Sequence, residues 1–277
     1  MTAEPLIPDR AQIRRVALVV TDLEEMVAFY RDVVGLTVRS QAKTTATLGT
    51  DEQPLLELRQ DEDAPPRTRE QAGLFHTAFK VPSRAALGGA LERVRSEWDL
   101  DGASDHYVSE ALYLTDPEKN GVEIYVDKPK DAWPRADDGS IQIGTIPLDI
   151  GVIGAQSDGS VAVPPETTVG HVHLEATSLQ AAQSFYVETL GLTVQTAIRS
   201  AVFLAAGDYH HHLGVNTWTG RSQPTGGRGL SWFEIIVPDE SIATVRQRLA
   251  DTEDVVDHGE FLEISDPDGI SIRIRTP

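Results

Sequence analysis

The chain contains no cysteine. This excludes disulfide bonds and thiolate ligands, so histidine and carboxylate side chains must hold any bound metal. No apolar run approaches the roughly 18 residues that a membrane-spanning helix needs. The first residues also lack the basic start and apolar run of a secretory signal. We therefore expect a cytoplasmic protein with no membrane partner.

Basic residues are scarce. The chain has 24 Lys and Arg against 43 Asp and Glu, a formal net charge of -19, and lysine occurs at only five positions. Such a charge disfavours nucleic-acid binding, which needs a basic footprint. The acidic residues are spread along the chain, and a dispersed acidic surface is best tolerated when salt screens its self-repulsion. This pattern favours a halophilic cytoplasm; an ordinary acidic enzyme is the alternative.

An internal duplication runs through most of the 277 residues. Aligned segments of the two halves share one register without gaps, and an Asp-Pro pair recurs later in each half. The matching segments are 15–38 with 171–194, 73–82 with 229–238, and 116–117 with 266–267. Agreement over so long a span indicates that the chain is a repeat protein built from similar units.

Each half itself contains two similar pieces. A piece begins with an alternating strand, continues with an amphipathic helix and ends with further strands. Thr21 and Thr177 are the predicted N-caps of two of these helices. The middle of the chain is rich in Pro, Gly and Asp, which predicts a linker over 131–167 between a first domain, 1–130, and a second, 168–277.

The strand-DL-helix-FY…GL pattern and the closing DP…NGVEIY resemble the vicinal oxygen chelate superfamily, which includes glyoxalase I, extradiol dioxygenases and bleomycin-resistance proteins. The chain is most similar to two-domain catechol 2,3-dioxygenase-like proteins, through GLFHTAF, DHYVSEALYLTDP, VGHVHLEATSL and YHHHLGVNTW. The resemblance covers nearly the whole chain outside the linker. It implies an α+β fold of four βαβββ units, whose mixed, curved sheets form two glyoxalase/dioxygenase-like domains.

The resemblance also implies a metal site. In this superfamily the first strand of a unit offers a His and the last strand a Glu, and two units face one metal. The first and fourth units carry other residues at these positions: Arg15, Trp232 and Arg273. The remaining ligands are His76, His171 and Glu123. Two histidines and one carboxylate match the facial triad of non-haem Fe(II) oxygenases, and Mn(II) or another divalent metal fits the same ligands.

These three ligands come from units two and three, on opposite sides of the linker. The site therefore closes only if unit two pairs with unit three, either within one chain or across a homodimer. A lone strand histidine such as His76 is more often structural than a ligand. Glu123 is more telling, because burying a carboxylate on an apolar strand is costly unless it is paired or bound to a metal.

Three further residues are implied by the same resemblance. The run from Tyr209 to Leu213 matches an HH-x-L segment whose His handles protons. Alignment on Leu213 gives this role to His211, and the ordinary pKa of histidine suits it. His106 and Tyr113 match a His and a Tyr that contact substrate oxygens. The alternatives are a surface polar cluster or an adventitious metal tract for the histidine run, and a core aromatic for Tyr113.

The predicted function is extradiol cleavage of a small aromatic diol by O₂ with Fe(II). A glyoxalase-type isomerase usually needs a second carboxylate from the partner unit, and unit three offers none at that position. Glu57 is a carboxylate of this kind, but its unit has Arg15 in place of the His. A glyoxalase-type metal isomerase or lyase and a non-catalytic, bleomycin-resistance-like small-molecule binder are the alternatives.

Overall fold

The computed structural model describes residues 6–250, 252 and 255–277. In this part of the chain, two mixed β-sheets of eight and nine strands contain most of the regular structure. The strands are β1 (Gln12–Val20), β2 (Thr37–Gln41), β3 (Thr45–Gly49), β4 (Pro54–Gln60), β5 (Gly73–Lys80), β6 (Gly102–Asp105), β7 (Ser109–Thr115), β8 (Gly121–Asp127), β9 (Ile146–Pro147), β10 (Thr168–Glu175), β11 (Thr193–Ile198), β12 (Ala201–Ala205), β13 (Leu213–Asn216), β14 (Gly229–Ile236), β15 (Val255–Asp257), β16 (Leu262–Ser265) and β17 (Ser271–Arg275).

The helices are short. They are α1 (Leu23–Ala28), α2 (Arg84–Glu97), α3 (Ile150–Gly154), α4 (Leu179–Ser184) and α5 (Asp239–Leu249), with π-helical continuations of α1 over Phe29–Val34 and of α4 over Phe185–Thr189, and a 3₁₀ turn over Lys130–Ala132. In the described ranges, no helix combines the length and apolar character needed to cross a membrane.

The α+β fold of four βαβββ units is confirmed. In each unit the first strand lies parallel to the fourth, and the third and second strands follow outward, as in the order β1-β4-β3-β2. The units are β1–β4, β5–β8, β10–β13 and β14–β17. The helix of each unit connects its first and second strands. This repeated strand order explains why one sequence register recurs along the chain.

The units pair across the linker. β5 of unit two pairs antiparallel with β10 of unit three in the nine-stranded sheet. β1 of unit one pairs with β14 of unit four in the eight-stranded sheet. Each sheet therefore takes one unit from either side of the linker, and units two and three meet within a single chain. The division into domains 1–130 and 168–277 stays a sequence-based prediction.

Two helices begin one residue later than predicted. The caps are Asp22 and Ser178, whose side chains accept hydrogen bonds from the backbone of the first turn. Thr21 and Thr177, the predicted caps, instead donate from their backbone and hydroxyl groups to carboxylates in the Asp-Pro turns of the following units. The threonines thus connect consecutive units rather than cap helices.

Two buried tyrosine–aspartate pairs also connect consecutive units, and therefore the two sheets. The Tyr30 hydroxyl donates to Asp116 at 3.0 Å, and the Tyr186 hydroxyl donates to Asp266 at 2.9 Å. Burial raises the pKa of each of these aspartates to about 6, despite the hydrogen bonds that each accepts.

The predicted linker packs against the body of the protein. β9 extends the nine-stranded sheet by pairing with β6, and Ile153 of α3 is fully buried. A backbone segment shortly before β9 also contacts the side chain of His106. The linker therefore adds the edge strand β9 to the nine-stranded sheet and packs against the rest of the protein.

Candidate metal centre and cavity

Four neighbouring strands bring three of the predicted site residues into one row. Across β10, β5, β8 and β7, the row contains His171, Ala78, Glu123 and Tyr113. His76 lies two residues before Ala78 on β5, so strand alternation places it on the same face. Ala78 is small and fully buried, and it leaves space between the histidine and the carboxylate on either side.

The three predicted ligands converge in this space. Glu123 Oε2 lies 2.9 Å from His76 Nε2 and 3.2 Å from His171 Nε2, and the two histidine nitrogens are 3.2 Å apart. All three side chains are buried, and they form a group that could hold a divalent metal ion.

The electrostatics of the cluster suit a cation. Burial opposes the charged form of Glu123, but His171 and His76 outweigh it and hold the pKa of this carboxyl well below its ordinary value. Burial lowers the pKa of His171 to about 4, although Glu123 opposes the change. At neutral pH the cluster thus offers a carboxylate and a neutral imidazole, the protonation states that metal binding requires. The donor set fits Fe(II), Mn(II) or Zn(II).

The cluster opens onto a cavity of about 510 Å³, a size suited to a small organic ligand. Phe75, Phe203 and Ile143 give it an apolar wall, and the partly exposed Ile198 and Trp218 lie at its mouth. The polar lining consists of His76, His106, His171, His173, His211, Glu123, Tyr113, Ser104, Ser109 and Thr145, with Gly144 contributing backbone. Glu123 is the one carboxylate among these lining residues.

His106 and Tyr113 form a hydrogen-bonded pair in the cavity wall. The Tyr113 hydroxyl lies 2.5 Å from His106 Nε2, and His106 Nδ1 lies 2.7 Å from the carbonyl oxygen of Gly144. A carbonyl only accepts, so Nδ1 carries the hydrogen; in the neutral ring, Nε2 then accepts from Tyr113. Burial and the nearby Glu123 carboxylate raise the pKa of Tyr113, which keeps it protonated.

His211 lies beside the cluster. Its ring centroid is 4.2 Å from that of His171, and the side chain lines the cavity. Burial, together with His171 and His210, holds the pKa of His211 well below its ordinary value, so the imidazole is neutral. The three histidines of the run, residues 210–212, belong to the connection between β12 and β13.

Sequence reasoning missed His173. This side chain is buried and lines the cavity, with its ring centroid 4.9 Å from that of His76. Its Nε2 accepts a hydrogen bond from Asn216 Nδ2 at 3.1 Å. Strand alternation was the available signal, because His173 follows His171 by two residues and shares its face.

The matching positions of the eight-stranded sheet form no such cluster. Glu234 takes the place of Ala78 and lies 3.2 Å from Arg15 Nη2. The guanidinium groups of Arg15 and Arg273 stack 5.0 and 4.3 Å from the Trp232 ring centroid. Glu57 binds Arg59 at 2.6 Å and Arg15 at 3.6 Å. Ion pairs and cation–π contacts therefore occupy this face, as expected for units without ligands.

The comparisons with known proteins agree with this architecture. Residues 12–124 match the family profile described as the Glyoxalase/Bleomycin resistance protein/Dioxygenase superfamily. A protein from Bacillus subtilis (strain 168), named catechol-2,3-dioxygenase, is 35% identical over 232 residues, which cover 80% of this chain and 81% of the relative.

Solved structures share the fold. A crystal structure of a candidate dioxygenase from Bacillus subtilis superposes with a TM-score of 0.65 at 14% identity, covering 99% of this chain and 86% of the other. Glyoxalase I from Zea mays superposes with a TM-score of 0.59 at 15% identity, covering 96% and 92%.

Proposed function

Because the chain belongs to the Glyoxalase/Bleomycin resistance protein/Dioxygenase superfamily, we propose that it is a ring-cleaving dioxygenase that uses Fe(II) and O₂ to open a small aromatic diol. The observation that carries this proposal is the buried group of His76, His171 and Glu123 at one end of a cavity with an aromatic wall. The relative named catechol-2,3-dioxygenase supports the same reaction class.

The three clustered side chains would hold the metal. Bound Fe(II) would supply positive charge that favours the deprotonated diol, and open positions at which the diol and O₂ meet. Cleavage breaks the ring bond next to the diol, and both oxygen atoms of O₂ enter the product, so no external reductant is needed.

The protein residues would orient the diol and move its protons. With the neutral His106 ring carrying its hydrogen on Nδ1, Tyr113 donates its hydroxyl hydrogen to His106 Nε2, which leaves its oxygen lone pairs for a diol hydroxyl. His211 is neutral, so it can accept a diol proton and later return it. Phe75, Phe203 and Ile143 offer apolar surface to the ring.

The cavity lining argues against the isomerase alternative. Such an enzyme usually needs a second carboxylate beside the metal, but Glu123 is the single carboxylate among the lining residues. Glu57, the other candidate, lies in the eight-stranded sheet, where it is paired with arginines.

Anaerobic loading with Fe(II), followed by addition of catechol and air-saturated buffer, tests the proposal. We expect a yellow ring-fission product and consumption of one O₂ per diol, with both lost in a His171→Ala variant. Diol binding without oxygen consumption, with either Fe(II) or Mn(II), would identify a binding protein. Isomerisation of a 2-oxoaldehyde thiol adduct without O₂ would identify a glyoxalase-type enzyme.

A further inference from the structure

A chain of side chains extends from the cavity histidine His211 away from the metal cluster. His211 Nδ1 lies 2.7 Å from His210 Nδ1, and His210 Nε2 lies 2.8 Å from Asp127 Oδ1. Asp127 is the last residue of β8, the strand that carries Glu123. The same strand therefore places one carboxylate at the cluster and another at the far end of a pair of histidines.

The Asp127 carboxylate determines which nitrogen of His210 carries hydrogen. Burial opposes the charge of Asp127, but His210, through both its hydrogen bond and its charge interaction, and then Lys80 hold the pKa of this carboxyl below the ordinary value. A carboxylate only accepts hydrogen bonds, so His210 Nε2 must donate. Lys80 Nζ, 3.5 Å from Asp127 Oδ2, already balances the carboxylate charge.

His210 itself is fully buried between two aromatic rings. Its ring centroid lies 4.1 Å from that of Tyr209 and 5.1 Å from that of Trp133. In the form of the ring that carries a single hydrogen, the hydrogen bond to Asp127 places that hydrogen on Nε2. The neutral ring with hydrogen on Nε2 has a lone pair on Nδ1. The 2.7 Å contact between the two Nδ1 atoms is therefore a hydrogen bond only if His211 Nδ1 donates.

We propose that Asp127 and His210 act as positioning residues that fix the tautomer of His211, with hydrogen on Nδ1 and the free lone pair on Nε2. The Nε2 lone pair can then accept a proton from the substrate as soon as the substrate binds. This inference rests on the acid–base role given to His211 in the proposed function. An orienting carboxylate of this kind is known to matter in serine proteases, where replacing it with an amide leaves the wrong tautomer.

The tautomer can be measured without the reaction. We would label the histidines of the full chain with ¹⁵N, load it with diamagnetic Zn(II), and read the two-bond nitrogen–proton couplings of each ring. Wild-type protein should show hydrogen on Nδ1 of His211 and on Nε2 of His210. Hydrogen on Nε2 of His211 in the wild-type protein would overturn the inference, whatever the activity.

Asp127→Asn is the sharpest variant. Lys80 and the Tyr209 hydroxyl, which lies 3.1 Å from Asp127 Oδ2, both donate toward position 127 and should attract the amide oxygen. The amide NH₂ would then face His210 and invert its tautomer, leaving His211 Nδ1 without an acceptor. We expect altered couplings for both histidines and a fall in kcat of about 100-fold or more, the lower range for acid–base catalysis, with KM little changed.

Two further variants separate this mechanism from general damage. His210→Gln keeps a donor and an acceptor in one side chain, so it should retain more activity than His210→Leu. Tyr209→Phe removes another hydrogen-bond donor to Asp127 but leaves the carboxylate on His210, and it should keep the wild-type tautomer. Equal losses in His210→Gln, His210→Leu and Tyr209→Phe would contradict the inference. If the protein shows the expected nitrogen–proton couplings but does not cleave the ring, only the proposed function would be refuted.

Discussion

Replacement of Glu123 by glutamine tests the metal centre directly. The change keeps the shape of a buried side chain that lies 2.9 and 3.2 Å from two histidine nitrogens, but it removes the anionic ligand. A metal that binds only the folded protein stabilises it by about 2.7 kcal/mol when present at 100 times its Kd. For a protein of this size, this corresponds to a rise in Tm of roughly 5 to 10 °C.

Loss of the carboxylate should abolish most of this rise. Mutation of groups that merely support a metal ligand costs about 10- to 100-fold in affinity, so loss of the ligand itself should cost at least the upper value. At the same metal concentration, a Kd about 100-fold weaker leaves only about 0.4 kcal/mol of stabilisation. The Tm of Glu123→Gln should therefore rise by only about 1 °C.

Differential scanning fluorimetry with and without Mn(II) measures both shifts. Glu234→Gln is the matched control, because Glu234 is an equally buried carboxylate on the other sheet, where it pairs with Arg15. This control should lower the Tm of the metal-free protein yet keep the metal-induced rise. A full rise in Glu123→Gln would show that the carboxylate is not a ligand.

Three other predictions follow from the site and the fold. His211→Ala should lower kcat about 10²- to 10⁴-fold with a small change in KM, measured by oxygen uptake; unchanged kcat would remove its acid–base role. Asp116 and Asp266 have pKa values raised to about 6, so the stability that each contributes is present at low pH and falls by roughly 3 kcal/mol in total as pH rises from below about 4 to above about 6. Urea unfolding across this range should show a smaller fall in Asp116→Asn, and an equal fall would contradict the assignment. Ile143→Ala should raise kcat/KM for ring-substituted diols about tenfold relative to catechol, whereas an unchanged ratio would mean that the linker does not limit substrate size.

The sequence predicted the units better than their pairing. One register across the two halves identified the repeated units, and the resemblance to the superfamily supplied His76, His171 and Glu123 as the expected ligands. Alternation does not specify which exposed strand edge joins which, because every first strand of a unit has the same pattern. The pairing of β5 with β10 depends on the packing of the whole chain, so the sequence left it open.

The features that the sequence did not reveal depend on contacts between distant segments. The linker looked like a spacer because its composition is that of a loop, yet Gly144 contacts His106 and Ile143 lines the cavity. The role of Asp127 becomes visible only when β8 is placed beside the connection that precedes β13. His173 is different, since its spacing from His171 was readable in the sequence and was overlooked.

The pairing of units across the linker also bears on how the chain folds. β1 finds its partner β14 only near the end of the chain, and Val16 pairs with Phe233. Proteins dominated by such non-local pairings have a high contact order and fold slowly, because loop closure must precede the favourable contacts. During synthesis the first half would emerge before β14 and β10. One edge of β1 and one edge of β5 would then still be unpaired, and exposed edges of this kind invite aggregation. The abundant negative charge of this chain, which repels copies of itself, would help to protect that interval.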